Sequence, residues 1–165
     1  MALTALGGNP AHTVGDLPAV GSRAPAYTLS DGALADVTNA DTAGGRTILN
    51  IFPSVGTGVC AAAMRKFNEI AGGLEDTTVL CVSNDLPFAL AGFCGAEGLH
   101  NVRVASAFRS DFGITYGMLL TDSKFEGLLA RSVVVVEPDG TVSYTQLVPE
   151  IGTEPDYDEI LAALG

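Results

Sequence analysis

The apolar run Thr47-Ile48-Leu49-Asn50-Ile51-Phe52 is stopped by Pro53, and a helical pattern takes over a few residues later. Proline has no amide hydrogen to donate to a neighbouring strand and its ring fixes φ, so strand pairing ends there. Thr57 is a preferred helix N-cap, and Met64, Phe67 and Ile70 or Ala71 then recur at helical spacing. The chain is thereby committed to a buried strand, a short loop and a helix over about 58–71 in immediate succession. With Thr57 as the cap, Cys60 is the third helical residue. The first amides of a helix have no partner inside it and carry the positive end of the helix dipole, so a thiol there is drawn towards its thiolate.

The remaining segments extend this pattern. Residues 77–83 read as a second central strand, and 86–93 as a short helix with Asp85 as a cap and Pro87 in its first turn. A brief strand over 102–104 and a partly helical stretch over 108–116 follow. Residues 132–137 form the clearest later strand, joined through the turn Pro138-Asp139-Gly140 to a partner over 141–147. Pro155 opens a terminal helix that runs to Leu164. Near the start, Asn9-Pro10 places a hairpin turn between 3–6 and 12–14. Two β-α-β steps, a hairpin and a closing helix predict an α/β fold. We expect a central mixed sheet flanked by helices, with an N-terminal β-hairpin, in one domain spanning 1–165.

Composition narrows the function. Eight Lys and Arg against 19 Asp and Glu give a formal charge of −11, which disfavours nucleic-acid and anionic-membrane partners. An apolar fraction of 47 % argues for a folded core. The longest apolar runs, such as Val133–Val136, are strand-sized, so no membrane span is expected. Residues 1–15 lack a basic region followed by an apolar core, and a cytoplasmic location is the expectation. Three cysteines, Cys60, Cys81 and Cys94, do not make a disulfide scaffold. No pair is as close as C-x-x-C, and His12 and His100 are remote in sequence, so a zinc site would need tertiary convergence and no metal is expected.

Each candidate site residue admits two readings. Cys60 either packs as a small apolar residue or reacts. Pro53 and Thr57 place a rigid turn and a hydroxyl before it, and Gly56 and Gly58 remove bulk from the loop. Arg131, just before the strongest apolar strand, either reaches solvent or supplies a fixed cation to the cysteine. Thr57 can cap the helix and also face a substrate. Cys94, in Phe93-Cys94-Gly95, lies at the end of the short helix, where Gly95 can terminate it and ease a local opening. Cys81, inside Val79-Leu80-Cys81-Val82, reads as a core residue.

The ordered motifs resemble the thiol peroxidase subfamily of peroxiredoxins, of the atypical two-cysteine type. Asn50-Ile51-Phe52-Pro53-Ser54 leading into Thr57-x-x-Cys60 is similar to the family's Pro-x-x-x-Thr-x-x-Cys signature. Arg65–Asn68, Ser83–Ala89, Phe93–Leu99, Leu128–Arg131 and Leu147–Ile151 resemble the subfamily as well, so the likeness covers nearly the whole chain. It implies a thioredoxin-like fold and a peroxidase acting on hydrogen peroxide and organic hydroperoxides. Cys60 corresponds to the peroxidatic cysteine, Thr57 and Arg131 to its activating groups, and Pro53 to a residue that shields and shapes the site. Cys94 corresponds to a resolving cysteine in the same chain, and Cys81 to an additional cysteine outside the catalytic pair. Thioredoxin is the implied reductant, and a homodimer the implied assembly. The helices carrying Cys60 and Cys94 must loosen locally if the two sulfurs are to meet. The chain departs from the family's Asp-Thr-Pro-x-Cys form, with Gly56 in place of the aspartate and Gly58 in place of the proline. A protein disulfide oxidoreductase and a non-catalytic redox-sensing module are the alternative functions, the first weakened by the missing C-x-x-C.

Overall fold

Successive side chains of a strand point to opposite faces of its sheet, and along the segment 48–52 this sorts the apolar residues into two cores. A computed structural model describes residues 1–165. Ile48 and Phe52 face one core, and Leu49 and Ile51 the other. The strand that carries most of them, β5 (Arg46–Ile51), pairs in parallel with β6 (Thr77–Ser83), which pairs in parallel with β7 (Val102–Ser106). On the other side β5 pairs antiparallel with β8 (Ser132–Val136), and β8 with β9 (Val142–Leu147). The far edge is a hairpin of β3 (Thr28–Ser30) and β4 (Asp36–Thr38), with β3 antiparallel to β7. The sheet order is β4-β3-β7-β6-β5-β8-β9. A separate hairpin of β1 (Leu3–Leu6) and β2 (Asn9–His12) opens the chain.

The parallel pairs need crossovers, and helices supply them. α1 (Gly58–Ala71) joins β5 to β6, and α2 (Pro87–Glu97) joins β6 to β7. With α4 (Tyr157–Ala163) they cover one face, burying Cys60, Met64, Phe67, Leu90 and Ile160 against Val79, Cys81, Val133 and Val135. The other face packs against loops and the single turn α3 (Phe112–Thr115), through Tyr27, Phe112, Tyr116 and Leu129. The expected mixed sheet, flanking helices and N-terminal hairpin are all present. No helix is long and apolar enough to cross a membrane.

Several boundaries differ from the sequence reading, each for a local reason. The first hairpin turns at Gly7-Gly8, both at positive φ, while Pro10 lies within β2. Glycine adopts that backbone without the steric penalty of a Cβ, and proline is tolerated on the edge of a two-stranded ribbon. α2 continues past Gly95 and ends at Gly98, whose left-handed φ of 68° makes the C-cap. Cys94 is therefore in the last turn of α2, and Gly95 lies inside the helix. Asp85 does not cap α2: the N-cap is Leu86, held extended by Pro87 at the first helical position. Neither β3 nor β4 was expected, being three residues each and too short for a periodic signal.

α2 is the weakly held member of the helical face. It contains Gly92 and Gly95, lacks a side-chain N-cap bond, and fully buries only Pro87 and Leu90. Each interior glycine costs about 1 kcal/mol relative to alanine. Native-state hydrogen exchange is expected to open residues 90–97 at least about 2 kcal/mol more easily than β5 and β6. Equal protection of these elements would show that packing compensates fully.

Candidate active site

Pro53 is buried just past the end of β5, and the loop that follows turns back onto α1. Thr57, with φ −98° and ψ 144°, is the N-cap of α1, and its hydroxyl accepts a hydrogen bond from the Cys60 amide at 3.2 Å. The Thr57 hydroxyl also lies 3.4 Å from the Ser54 carbonyl, as a weak donor. Cys60 is the third residue of α1 and is 0 % exposed.

Arg131 reaches Cys60 because of strand register. Ile51, the last residue of β5, pairs with Ser132, the first of β8, so the residue before β8 arrives beside the strand end that feeds the Cys60 loop. Its Nη2 donates to Cys60 Sγ at 3.1 Å, and its Nε donates to the Ile151 carbonyl at 2.9 Å. Arg131 is only 1 % exposed, forms no ion pair with a carboxylate, and its buried Nη1 has no hydrogen-bond partner. Burying an unpaired cation is strongly unfavourable. A buried guanidinium with a free donor beside a sulfur is an arrangement suited to negative charge on sulfur and on an incoming oxygen.

The Ile151 carbonyl is itself held from the N-terminal hairpin. The Ile151 amide donates to the Ala5 carbonyl, and the Thr4 hydroxyl to the Val148 carbonyl. The Glu150 carboxylate accepts from the amides of Gly7 and Gly8 at 2.8 and 3.0 Å. These amide bonds, that from Gly8 foremost, hold the Glu150 carboxyl below its ordinary range. Glu150 and Ile151 were visible in the sequence only as part of a motif, and no residue-level signal gave them a task.

Asp85, expected from the sequence to cap α2, has a different task. Its carboxylate turns away from α2 and binds the Cys60 loop, accepting from Ser54 Oγ at 2.7 Å and from the Val55 amide at 2.9 Å. The spacing of Pro87 leaves it one residue too early to cap.

The three thiols are all free and all touch the core layer between the sheet and α1, α2 and α4. Cys94 is half-buried, which raises its thiol above the ordinary value. Cys81 is completely buried, and burial pushes its thiol up to about 12, opposed by a hydrogen bond from Asn50 Nδ2. The structure thus joins Thr57, Cys60 and Arg131 directly, sets Pro53 at the loop entrance, and leaves Cys94 in the same layer without a bond to Cys60. No group of three or more His, Cys, Asp or Glu side chains is placed to hold a metal ion.

Residues 19–161 match the family model described as Redoxin. Over 99 % of both chains, the sequence is 57 % identical to a thiol peroxidase of Corynebacterium glutamicum. It is 55 % identical to a thiol peroxidase of Mycobacterium tuberculosis, over 100 % of this chain and 99 % of that one. This chain belongs to the thiol peroxidases of the redoxin family. A crystal structure of a peroxiredoxin-like protein from Aquifex aeolicus superposes with a TM-score of 0.93 at 39 % identity, covering 98 % of this chain and 95 % of that one. The fold is shared by a thiol peroxidase from Chromobacterium violaceum, with a TM-score of 0.91 at 21 % identity over 98 % and 94 % of the two chains. The thioredoxin-like fold class expected from the motifs is thereby established.

Two outcomes follow for this redoxin. A neutral, buried thiol does not react, because the thiolate is the nucleophile. Burial favours the protonated form of Cys81, so the stability linked to it is present below about pH 9 and is lost as pH climbs through about 12. Alkylation of the reduced native protein at mildly alkaline pH, mapped by mass spectrometry, is expected to label Cys94 and spare Cys81 until the chain unfolds. Rapid labelling of Cys81 in the folded protein would contradict its assignment to the core.

Gly58 is the first residue of α1, has no positive φ, and a Cβ built there meets nothing within 4 Å. Proline suits that position, where the amide lacks an intrahelical partner. Gly58→Pro is expected to stabilise the fold by about 0.4–1 kcal/mol and to preserve or raise peroxide turnover. A large loss of turnover with the fold unchanged would show that the loop needs the freedom of glycine.

Proposed function

We propose that this thiol-dependent peroxidase attacks hydroperoxides with Cys60 and resolves the product with Cys94. The observation that carries this reading is the 3.1 Å contact between Arg131 Nη2 and Cys60 Sγ, with Nη1 buried and unpartnered beside it. Arginine stays charged at any accessible pH, and the Cys60 thiolate is the counter-ion that its burial calls for. Arg131 and the Thr57 hydroxyl then orient the peroxide, while Pro53 keeps bulk solvent from the loop.

The thiolate attacks the terminal peroxide oxygen. A sulfur–oxygen bond forms as the O–O bond breaks, and the departing oxygen takes a proton to leave as water or an alcohol. Cys60 is left as a sulfenic acid, oxidised by two electrons. Arg131 meets the negative charge that develops on the departing oxygen, the kind of preorganised contact whose removal costs about 10²–10³ in rate. The Cys94 thiolate next attacks the sulfenic sulfur: the sulfur–sulfur bond forms as the sulfur–oxygen bond breaks, and the departing hydroxide takes a proton to leave as water. A thioredoxin-type dithiol returns two electrons by thiol–disulfide exchange. No metal or organic cofactor takes part in these steps.

A disulfide needs Cα atoms roughly 4.4–6.8 Å apart; Cys60 is fully buried and both thiols are free, so the reading includes a loosening of the last turn of α2 that lets the two sulfurs meet. The weak hold on α2 supports that motion. A cycle that restores two free thiols suits a reducing compartment such as the cytoplasm. Exposed apolar side chains at Leu86, Phe88, Phe108 and Ile114, the last two lining one depression, support a homodimer.

The decisive experiment treats fully reduced protein with one equivalent of hydrogen peroxide, maps the linkage by mass spectrometry, and runs a thioredoxin-coupled turnover assay in parallel. A Cys60–Cys94 disulfide with sustained turnover is expected. Cys94→Ser is expected to stop at a trappable Cys60 sulfenic acid. Arg131→Met is expected to slow Cys60 oxidation by about 10²–10³-fold. Absence of selective oxidation at Cys60 would overturn the assignment.

A further inference from the structure

We propose that Asp85 is a positioning residue for the peroxide step, a carboxylate that fixes the Cys60 loop from outside and ties it to the root of the Cys94 helix. The inference rests on the roles proposed above for Cys60 and Cys94.

The Asp85 carboxylate accepts three hydrogen bonds, all from uncharged donors. Oδ1 takes the Ser54 hydroxyl at 2.7 Å, and Oδ2 takes the Val55 amide at 2.9 Å and the Ser83 hydroxyl at 2.6 Å. No lysine, arginine or histidine pairs with it. Its backbone is held as well: the amide donates to Ser83 Oγ at 3.2 Å, and the carbonyl accepts from the Ser106 hydroxyl. Ser83 and Ser106 are the last residues of β6 and β7. Asp85 is therefore anchored on the rigid ends of two sheet strands and reaches across to the loop.

From there the contacts run towards the reacting sulfur. Ser54 Oγ accepts from the Gly56 amide at 3.0 Å, and the Ser54 carbonyl accepts from the Thr57 amide at 3.2 Å. Thr57 then receives the Cys60 amide. The loop contains Gly56 and Gly58, so its own residues restrain it little. The restraint arrives instead from Asp85, whose two carboxylate oxygens fix Ser54 and Val55. Pro87, the first residue of α2, follows two positions later, so opening at the base of α2 pulls on the same carboxylate. An intact latch favours peroxide attack, and a released one favours the motion that brings Cys94 in.

Asp85→Asn keeps size but replaces one acceptor with a donor, facing groups that are themselves donors. Ser54→Ala removes one of the three contacts and leaves the others. The chain contains no tryptophan, so the two steps are separated by quenched-flow mass spectrometry with a sulfenic-acid trap. Wild-type and variant proteins are reduced, mixed with hydrogen peroxide and followed for Cys60 oxidation and for disulfide formation. Asp85→Asn is expected to slow Cys60 oxidation about tenfold or more, since small misplacements of reacting groups carry losses of that order. The later conversion to disulfide is expected to proceed at least as fast as in wild type. Ser54→Ala is expected to lose less, and the two losses to fall short of additive in the double variant, because the Ser54–Asp85 contact is common to both.

A wild-type oxidation rate in Asp85→Asn, or equal slowing of both steps, overturns the inference and leaves Asp85 as a general structural residue. If Asp85→Asn fails to fold, Ser54→Ala decides: it must slow the peroxide step while sparing the second, and wild-type rates overturn the proposal. Wild-type protein that fails to oxidise at Cys60 overturns the peroxidase assignment itself, and this inference with it.

Discussion

The contact between Arg131 and Cys60 is the constraint around which the rest of the molecule is arranged. A buried guanidinium without a carboxylate is tolerated only where something else answers its charge. Here three separate parts of the chain deliver the pair. The capped start of α1 presents the sulfur, the register of β5 against β8 delivers the arginine, and the loop at 148–151 turns it through the Ile151 carbonyl. That loop is in turn fastened to the N-terminal hairpin through Thr4, Ala5, Gly7 and Gly8. A segment that shares no sheet with the site thus helps to aim its cation. Loss of the hairpin would leave Cys60 untouched in sequence and remove one support of the carbonyl that aims Arg131.

The cysteine side of this pair was legible in the sequence, and the arginine's surroundings were not. A strand stopped by Pro53, a capping Thr57 and helical periodicity from Met64 to Ala71 are local signals, and the helix matches its expected limits of about 58–71. Arg131 could be singled out by its place before an apolar strand. Its burial, its free Nη1 and its bond to Ile151 arise from pairing across large sequence separations. Asp85 shows the same limit from the other side. A carboxylate ahead of a helix ordinarily reads as a cap, and only the fold shows that Pro87 shifts the cap to Leu86 and frees the side chain for the Ser54–Val55 loop. Glu150 stood in the sequence only as part of a motif, because its bonds to the N-terminal hairpin go to glycine amides more than a hundred residues away.

Three thiols in one apolar layer raise the question of why only two are assigned chemistry. Cys81 is in the centre of the sheet, without access, and with its thiol pushed up to about 12. Cys94 is only partly covered and lies in a helix with two interior glycines. Cys60 alone has a cation against its sulfur. Position in the fold therefore separates residues that composition treats as equivalent: the same side chain is enclosed in the sheet, partly covered in the weak helix and set against a guanidinium at the start of α1.

The hold on α2 is polar and peripheral. Near its start Asp85 binds the Cys60 loop, and in its last turn Glu97 forms a two-point ion pair with Arg65 of α1, at 2.9 and 3.0 Å. The Arg65 contact lowers the Glu97 carboxyl below its ordinary value, yet both side chains remain open to solvent, where such pairs are weak and screened by salt. Inside, Leu90 is the main apolar anchor. A helix fastened this way can open by exchanging polar contacts for water at both ends, at Asp85 near its start and at Glu97 in its last turn. α1 is built in the opposite sense, with Cys60, Met64 and Phe67 deep in the core. The two helices thus differ in how they are held: α1 is packed into the core, and α2 is tethered near its ends by contacts that water can replace.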